Sequence, residues 1–181
     1  MKSIASILLS IVSLIIIDNT ALSQEFAPIG AKWYYSHREN PFGGPEEGYL
    51  LVESIGDTVI NATVTKILRK THLESNGNSL VIGYDFIYSD HNKVFYFKES
   101  KSFLLYDFNA KTGDTLCFRE PYFTNHSADT TFSMIVDSTD FLNVGGRDLK
   151  RLYLRNYIGH WNMFNVHIEM IGNIPYMFPQ N

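Results

Sequence analysis

Leu80-Val81-Ile82-Gly83-Tyr84-Asp85-Phe86-Ile87-Tyr88 is the stretch from which the fold class follows. In an extended chain alternate side chains point the same way, so Leu80, Ile82, Tyr84, Phe86 and Tyr88 are expected to share one face of a strand. The same period of two recurs outward in both directions, while helical 3.6-residue periodicity is hard to find after residue 25. Further strands are expected at Lys32–Ser36, Gly48–Ile55, Thr58–Leu73, Lys93–Lys98 and Phe103–Phe108, then at Thr115–Arg119, Thr130–Asp137, Asp148–Arg155 and Met163–Ile171.

Turn chemistry separates these runs at short intervals. Asn76-Gly77 is a hairpin signal because both residues tolerate the positive φ of tight turns. Ser89-Asp90-His91-Asn92 and Val144-Gly145-Gly146-Arg147 do the same, while Pro41–Pro45 and Glu120–Asp129 read as longer loops. Ile55-Gly56-Asp57-Thr58-Val59 echoes Thr112-Gly113-Asp114-Thr115-Leu116, each read as a Gly turn with an Asp bonding the backbone ahead of a strand. Many short strands with regular turns give an all-β antiparallel meander of about ten strands, forming a sandwich or an open or closed barrel.

The amino terminus has the anatomy of a cleavable secretory signal. Lys2 supplies the early positive charge, residues 4–17 an apolar core, and Ala21-Leu22-Ser23 the small side chains that a signal peptidase reads. The cut is expected after Ser23, leaving residues 24–181 as one all-β domain. The apolar run is shorter than the roughly 20 residues of a spanning helix, so no membrane span is expected after cleavage. The leader has no Cys, which removes acylation as an anchor.

Several of these segments together resemble the β-rich domain of secreted Bacteroidetes-type proteins. Gly48-Tyr49-Leu50-Leu51-Val52 leading into Gly56-Asp57-Thr58-Val59-Ile60-Asn61, Asn92-Lys93-Val94-Phe95-Tyr96, Leu105–Thr115, Trp161, Ile168-Glu169 and Ile171-Gly172 carry the likeness. The resemblance implies export and a β-rich fold, with no activity or catalytic residues to carry over. Members commonly have Gly-Lys where this chain has Ala62-Thr63, a departure expected to reshape one hairpin. Such proteins often continue into a sorting domain for type IX secretion. This chain stops at Pro179-Gln180-Asn181 without one, so it is expected to be truncated or a form that stays in the periplasm.

All 13 Phe, 11 Tyr and 2 Trp lie after the leader, and the expected mature domain keeps the formal charge of −4. A mildly acidic domain without a basic cluster is a poor match for nucleic acid, whose backbone affinity is mostly electrostatic. Lys66/Arg69/Lys70 and Arg147/Lys150/Arg151 read as solvated faces of strands. Cys117 is the single cysteine, which excludes an intramolecular disulfide, and reads as a buried strand thiol.

Motifs that carry chemistry are sparse. The six histidines are His37, His72, His91, His126, His160 and His167, none spaced as an HxxxH or HxH pair. His160, His167 and Glu169 form the nearest cluster, with His167 and Glu169 expected on one face of the last strand, and read as a polar strand face and not as metal ligands. There is no nucleophile elbow, no phosphate-cradling loop and no implied cofactor. Asn61-Ala62-Thr63 and Asn125-His126-Ser127 match the N-glycosylation pattern, which the bacterial origin implied by the resemblance makes idle, and Asp57-Thr58-Val59 and Asp114-Thr115-Leu116 resemble an O-glycosylation acceptor, for which turn and strand chemistry already accounts. An aromatic stripe remains. Tyr84, Phe86 and Tyr88, with Tyr96 and Tyr106, are the candidate ligand-lining residues if the sheet closes round a cavity, and core residues if it does not.

Three functions follow for comparison. The first is a non-enzymatic exported module that binds a protein or builds the envelope. The second is a barrel holding a small apolar ligand, and the third a hydrolase with an unrecognised site.

Overall fold

The structure is a computed structural model that describes residues 25–38, 47–120, 130–156, 165–174 and 176–178. The expected leader and its cut, the Pro41–Pro45 loop, the Asn125 sequon, His126, His160 and Trp161 lie outside the described residues.

Among the described residues eleven strands run in order: β1 (Lys32–Arg38), β2 (Glu47–Ile60), β3 (Thr63–Glu74), β4 (Ser79–Asp90), β5 (Lys93–Lys98), β6 (Lys101–Asp107), β7 (Thr115–Glu120), β8 (Thr130–Val144), β9 (Arg147–Asn156), β10 (Asn165–Ile168) and β11 (Gly172–Asn173). They form two antiparallel sheets, β1-β2-β3-β4-β5-β6 and β11-β10-β9-β8-β7, in which every neighbour in space is a neighbour in sequence. Both sheets curl into half-barrels. Their inner faces share one core, in which Val52, Leu68 and Ile87 from the first sheet and Val136 and Leu152 from the second are fully enclosed.

Paired positive-φ residues make the tight hairpins, since this twist matches the flanking strands. His91 and Asn92 join β4 to β5, and Gly145 and Gly146 join β8 to β9. At Glu74–Ser79 the Asn76 side chain accepts from the Asn78 amide at 2.8 Å, with Gly77 at φ 89°.

Three expectations about the strands need correction. The run Thr58–Leu73 is not one strand, because Asn61 (φ 49°) and Ala62 (φ 62°) turn the chain between β2 and β3. Gly56 makes no turn. It lies inside β2 beside a bulge in which Ile55 is the extra residue, whereas its echo at Gly113 is a true turn, with Asp114 accepting from the Lys111 amide at 2.8 Å. The face assigned to β4 is also broken. Lys70 pairs with Gly83 but Thr71 with Val81, so Ile82 is the extra residue of a bulge and the alternation changes phase there.

Two of the basic residues, Lys66 and Lys150, are less solvated than expected. Lys66 is 8% exposed, held at 2.7 Å by both Glu25 and Asp57. Burial alone would lower its pKa, but those two carboxylates outweigh it and the net shift is upward. Lys150 stretches across the junction of the sheets to donate to the carbonyls of Phe108 and Ala110, at 2.8 and 2.7 Å. Cys117 is exposed and not buried, because Leu116 and Phe118 on either side take the core face.

Candidate functional site

Two regions gather aromatic side chains, and the register places them on opposite faces of the six-stranded sheet. On the outer face, cross-strand partners line up in rows. Tyr34, Leu51, Thr71 and Val81 form one row, and Lys32, Glu53, Arg69 and Tyr84 form the next. A third runs through Ile67, Phe86, Phe97 and Ser102, and a fourth through Tyr88, Phe95 and Leu104.

The rows differ in exposure. Tyr34, Tyr49 and Tyr84 stand out at 61%, 60% and 52% exposed. Phe86, Tyr88, Phe95 and Phe97 are half-buried against one another. Tyr88 stacks on Phe95 with centroids 4.9 Å apart and leans on Phe97 at 5.4 Å, while its hydroxyl meets the Ser102 hydroxyl at 2.8 Å. Between the Tyr34 row and the Phe86 row of the outer face lies a short ion row, in which Arg69 and Lys32 both bond Glu53 and hold its carboxyl below its usual value.

The inner face holds the other two candidates. Tyr96 is 3% exposed, packed on Phe103 and edge-on to Phe178. Tyr106 is 1% exposed, and its hydroxyl donates to the Met177 carbonyl while accepting from the Asn173 amide at 3.0 Å. Burial pushes this phenol well above its ordinary pKa. The rings of Phe26 and Phe108 flank it, and His167 meets it edge-on. His167 also packs on Phe118, and burial pushes its pKa down to about 3. Residues 172–174 and 176–178 form a strap over this cluster. Met177 and Phe178 are buried, and Tyr176 lies edge-on to Tyr35 at 5.1 Å.

The five aromatic candidates therefore do not form one site. Tyr84, Phe86 and Tyr88 are together on the outer face, Tyr96 and Tyr106 are together on the inner one, and the sheet lies between them. Tyr34, Tyr49 and the strap were not singled out from sequence, and His167 was read there as part of a polar strand face. Trp33-Tyr34-Tyr35 is aromatic on both faces, so alternation there carries no signal about which ring faces out.

His167 and Glu169 also part company. Glu169 lies in the turn after β10, not on the strand, and accepts from the Lys150 amide at 3.1 Å, while His167 points into the core. Among the described residues no three His, Cys, Asp or Glu side chains converge as metal ligands would, and no helix is long and apolar enough to cross a membrane. A cleft of about 60 Å³ opens at the rim beside Phe26, Asn92, Lys93, Phe108 and Met170, room for a few waters and not for a metabolite. No protein family, curated protein or solved structure matches the chain.

Proposed function

We propose that this chain is a non-enzymatic interaction module of an exported protein fraction, working through the outer face of the six-stranded sheet. The leader anatomy of residues 1–23 supports export. The observation that carries the binding role is the set of exposed tyrosines, Tyr34, Tyr49 and Tyr84, on the same outer face as the half-buried aromatics of β4 and β5. A sheet face turned to water ordinarily alternates to polar side chains. Here rings occupy those positions, with Arg69 and Glu53 among them, and Tyr, Phe and Arg are the residues enriched where proteins meet.

The partner that fits is a protein with an apolar face of its own and few charges. Six strands about 4.8 Å apart and four rows about 7 Å apart give roughly 500–600 Å² on this side. That amounts to about 1,000 Å² buried in total, the lower bound of a specific interface.

A photo-activatable cross-linker at position 84, and another at the exposed position 111 in the turn before β7, tests this in the native exported fraction. Discrete adducts from position 84 alone, lost when Tyr34 and Tyr49 are changed to Glu, are the expected result. Equal cross-linking from both positions would falsify the assignment. Amino-terminal sequencing of the exported form is expected to begin at Gln24.

A further inference from the structure

We infer that the first half of β4, Ser79–Asp85, is the edge through which two copies of this chain pair antiparallel into one continuous sheet. The inference goes beyond the outer-face reading, because it concerns a strand edge and needs no other protein.

The register leaves this stretch open on one side. β3 pairs with β4 from Ser79 to Ile87, but β5 pairs with it only from Phe86 to Asp90. Among the described residues no strand lies along the other side of Ser79–Asp85. Backbone amides and carbonyls that point that way are a ready template for another strand. At about 3.3 Å per residue the open stretch offers roughly 23 Å of ladder.

Of the usual guards of an exposed edge, which are charge, proline, brevity or a bulge, it has only the bulge at Ile82. By contrast β1 carries Lys32 and Arg38, β6 carries Lys101 and Asp107, β7 carries Arg119 and Glu120, and β11 is two residues long. Ser79 to Tyr84 holds no charge, and its side chains are apolar on both faces. Leu80, opposite His72, is 62% exposed, and Val81, opposite Thr71, is 46% exposed. Ile82 and Tyr84 follow at 48% and 52%. Asp85 ends the stretch, with its carboxylate 2.9 Å from the Lys70 ammonium. A strand that fits must itself be uncharged and apolar on both faces.

A second copy meets this requirement with the same residues, and a two-fold axis makes the contact self-complementary. It also carries the same bulge and the same increased twist, so the feature that deters a regular strand admits a copy. The flanks supply complementary charge. At one end is the Glu74–Ser79 turn, where Asn76 and Asn78 hold the Glu74 carboxyl below its ordinary value and so ionised. At the other, one step past the Phe86–Phe97 pair, is the β5–β6 turn, which carries Lys98 and Lys101 against Glu99. Antiparallel pairing over the full open length sets each acidic turn towards the basic turn of the other copy. It also brings Ile82 to the two-fold axis.

Sedimentation equilibrium of the purified exported chain measures the pairing, with reductant present to keep Cys117 out of the contact. A reversible dimer is expected with a Kd below about 100 μM, the range of a small interface. Hydrogen exchange of wild type at high and low concentration locates it, with added protection expected at Ser79–Asp85. Ile82→Lys and Ile82→Glu each set like charges across the axis and are expected to weaken the dimer at least tenfold, while an equimolar mixture of the two restores it. Near-ultraviolet circular dichroism checks that both variants are folded, and if either is not, the exchange pattern of wild type decides. Tyr34→Glu with Tyr49→Glu, which disrupts the proposed outer-face contact, is expected to leave the dimer intact. A monomeric wild type overturns the inference and leaves the edge to a foreign strand. Added protection elsewhere, a mixture no stronger than its parts, or a dimer lost with Tyr34 and Tyr49 overturns it as well.

Discussion

The imidazole of His167 meets the ring of Tyr106 edge-on, with centroids 4.8 Å apart and planes at 73°. The pair joins β10 of one half-barrel to the edge strand β6 of the other, so a basic ring that burial keeps uncharged links the two sheets.

The first prediction is a dependence of stability on pH. His167 has a folded pKa of about 3 against 6.5 in the unfolded chain, with burial as the cause. Below pH 6.5 the unfolded state takes up a proton that the folded state refuses, so stability falls as pH drops towards 3. At pH 5 the loss relative to pH 7.5 is expected to be about 2 kcal/mol. Urea unfolding of wild type and His167→Leu at both pH values measures it. The variant should lose most of the difference, and an equal pH dependence in both proteins would remove His167 as its source.

Tyr106→Phe keeps the ring and deletes the hydroxyl that serves both Met177 and Asn173. A carbonyl and an amide are then left without that partner in a closed core, for an expected cost of about 1–3 kcal/mol. The raised pKa of this phenol gives a second signature. Above pH 10 the unfolded chain releases its proton while the folded one retains it, so wild-type stability declines there and the variant declines less. Denaturation midpoints at pH 8 and pH 10.5 compare the two.

The hairpin between β2 and β3 holds an alanine at φ 62°. A left-handed conformation costs a residue with a Cβ about 1–2 kcal/mol, part of which glycine gives back through its freer unfolded chain. Ala62→Gly is therefore expected to raise stability by about 0.5–1 kcal/mol, read as a higher urea midpoint at unchanged m value. A lower midpoint would show that the turn is not strained.

Cys117 is exposed on β7, 3.4 Å from the Ser133 hydroxyl. A disulfide reagent such as Ellman's is expected to modify it in the folded protein without denaturant. Reaction only after unfolding would place the thiol inside.

How far the sequence leads can be judged strand by strand. Glycine-containing turns were legible at Asn76-Gly77 and Gly145-Gly146 because their chemistry is local. Asn61-Ala62 was not, since nothing in alanine announces a positive φ, and β2 and β3 were divided in the wrong place as a result. The bulges at Ile55 and Ile82 were equally silent. Each inserts one residue into an otherwise regular alternation, and which strand yields is settled by the partner across the ladder.

By itself the sequence determined that this chain is all-β, antiparallel and built as a meander, because period-two patterning and turn residues act within a few positions of one another. Only the tertiary structure decided which rings face water and which face the core. Tyr84, Phe86 and Tyr88 are as apolar as Tyr96 and Tyr106. A strand with aromatic residues on both faces fits either orientation, so the choice falls to what lies opposite. Around Tyr106 the second half-barrel and the strap close over the ring, and nothing among the described residues covers Tyr84, which is 52% exposed. Burial is a property of two surfaces meeting, and the second surface comes from residues far along the chain.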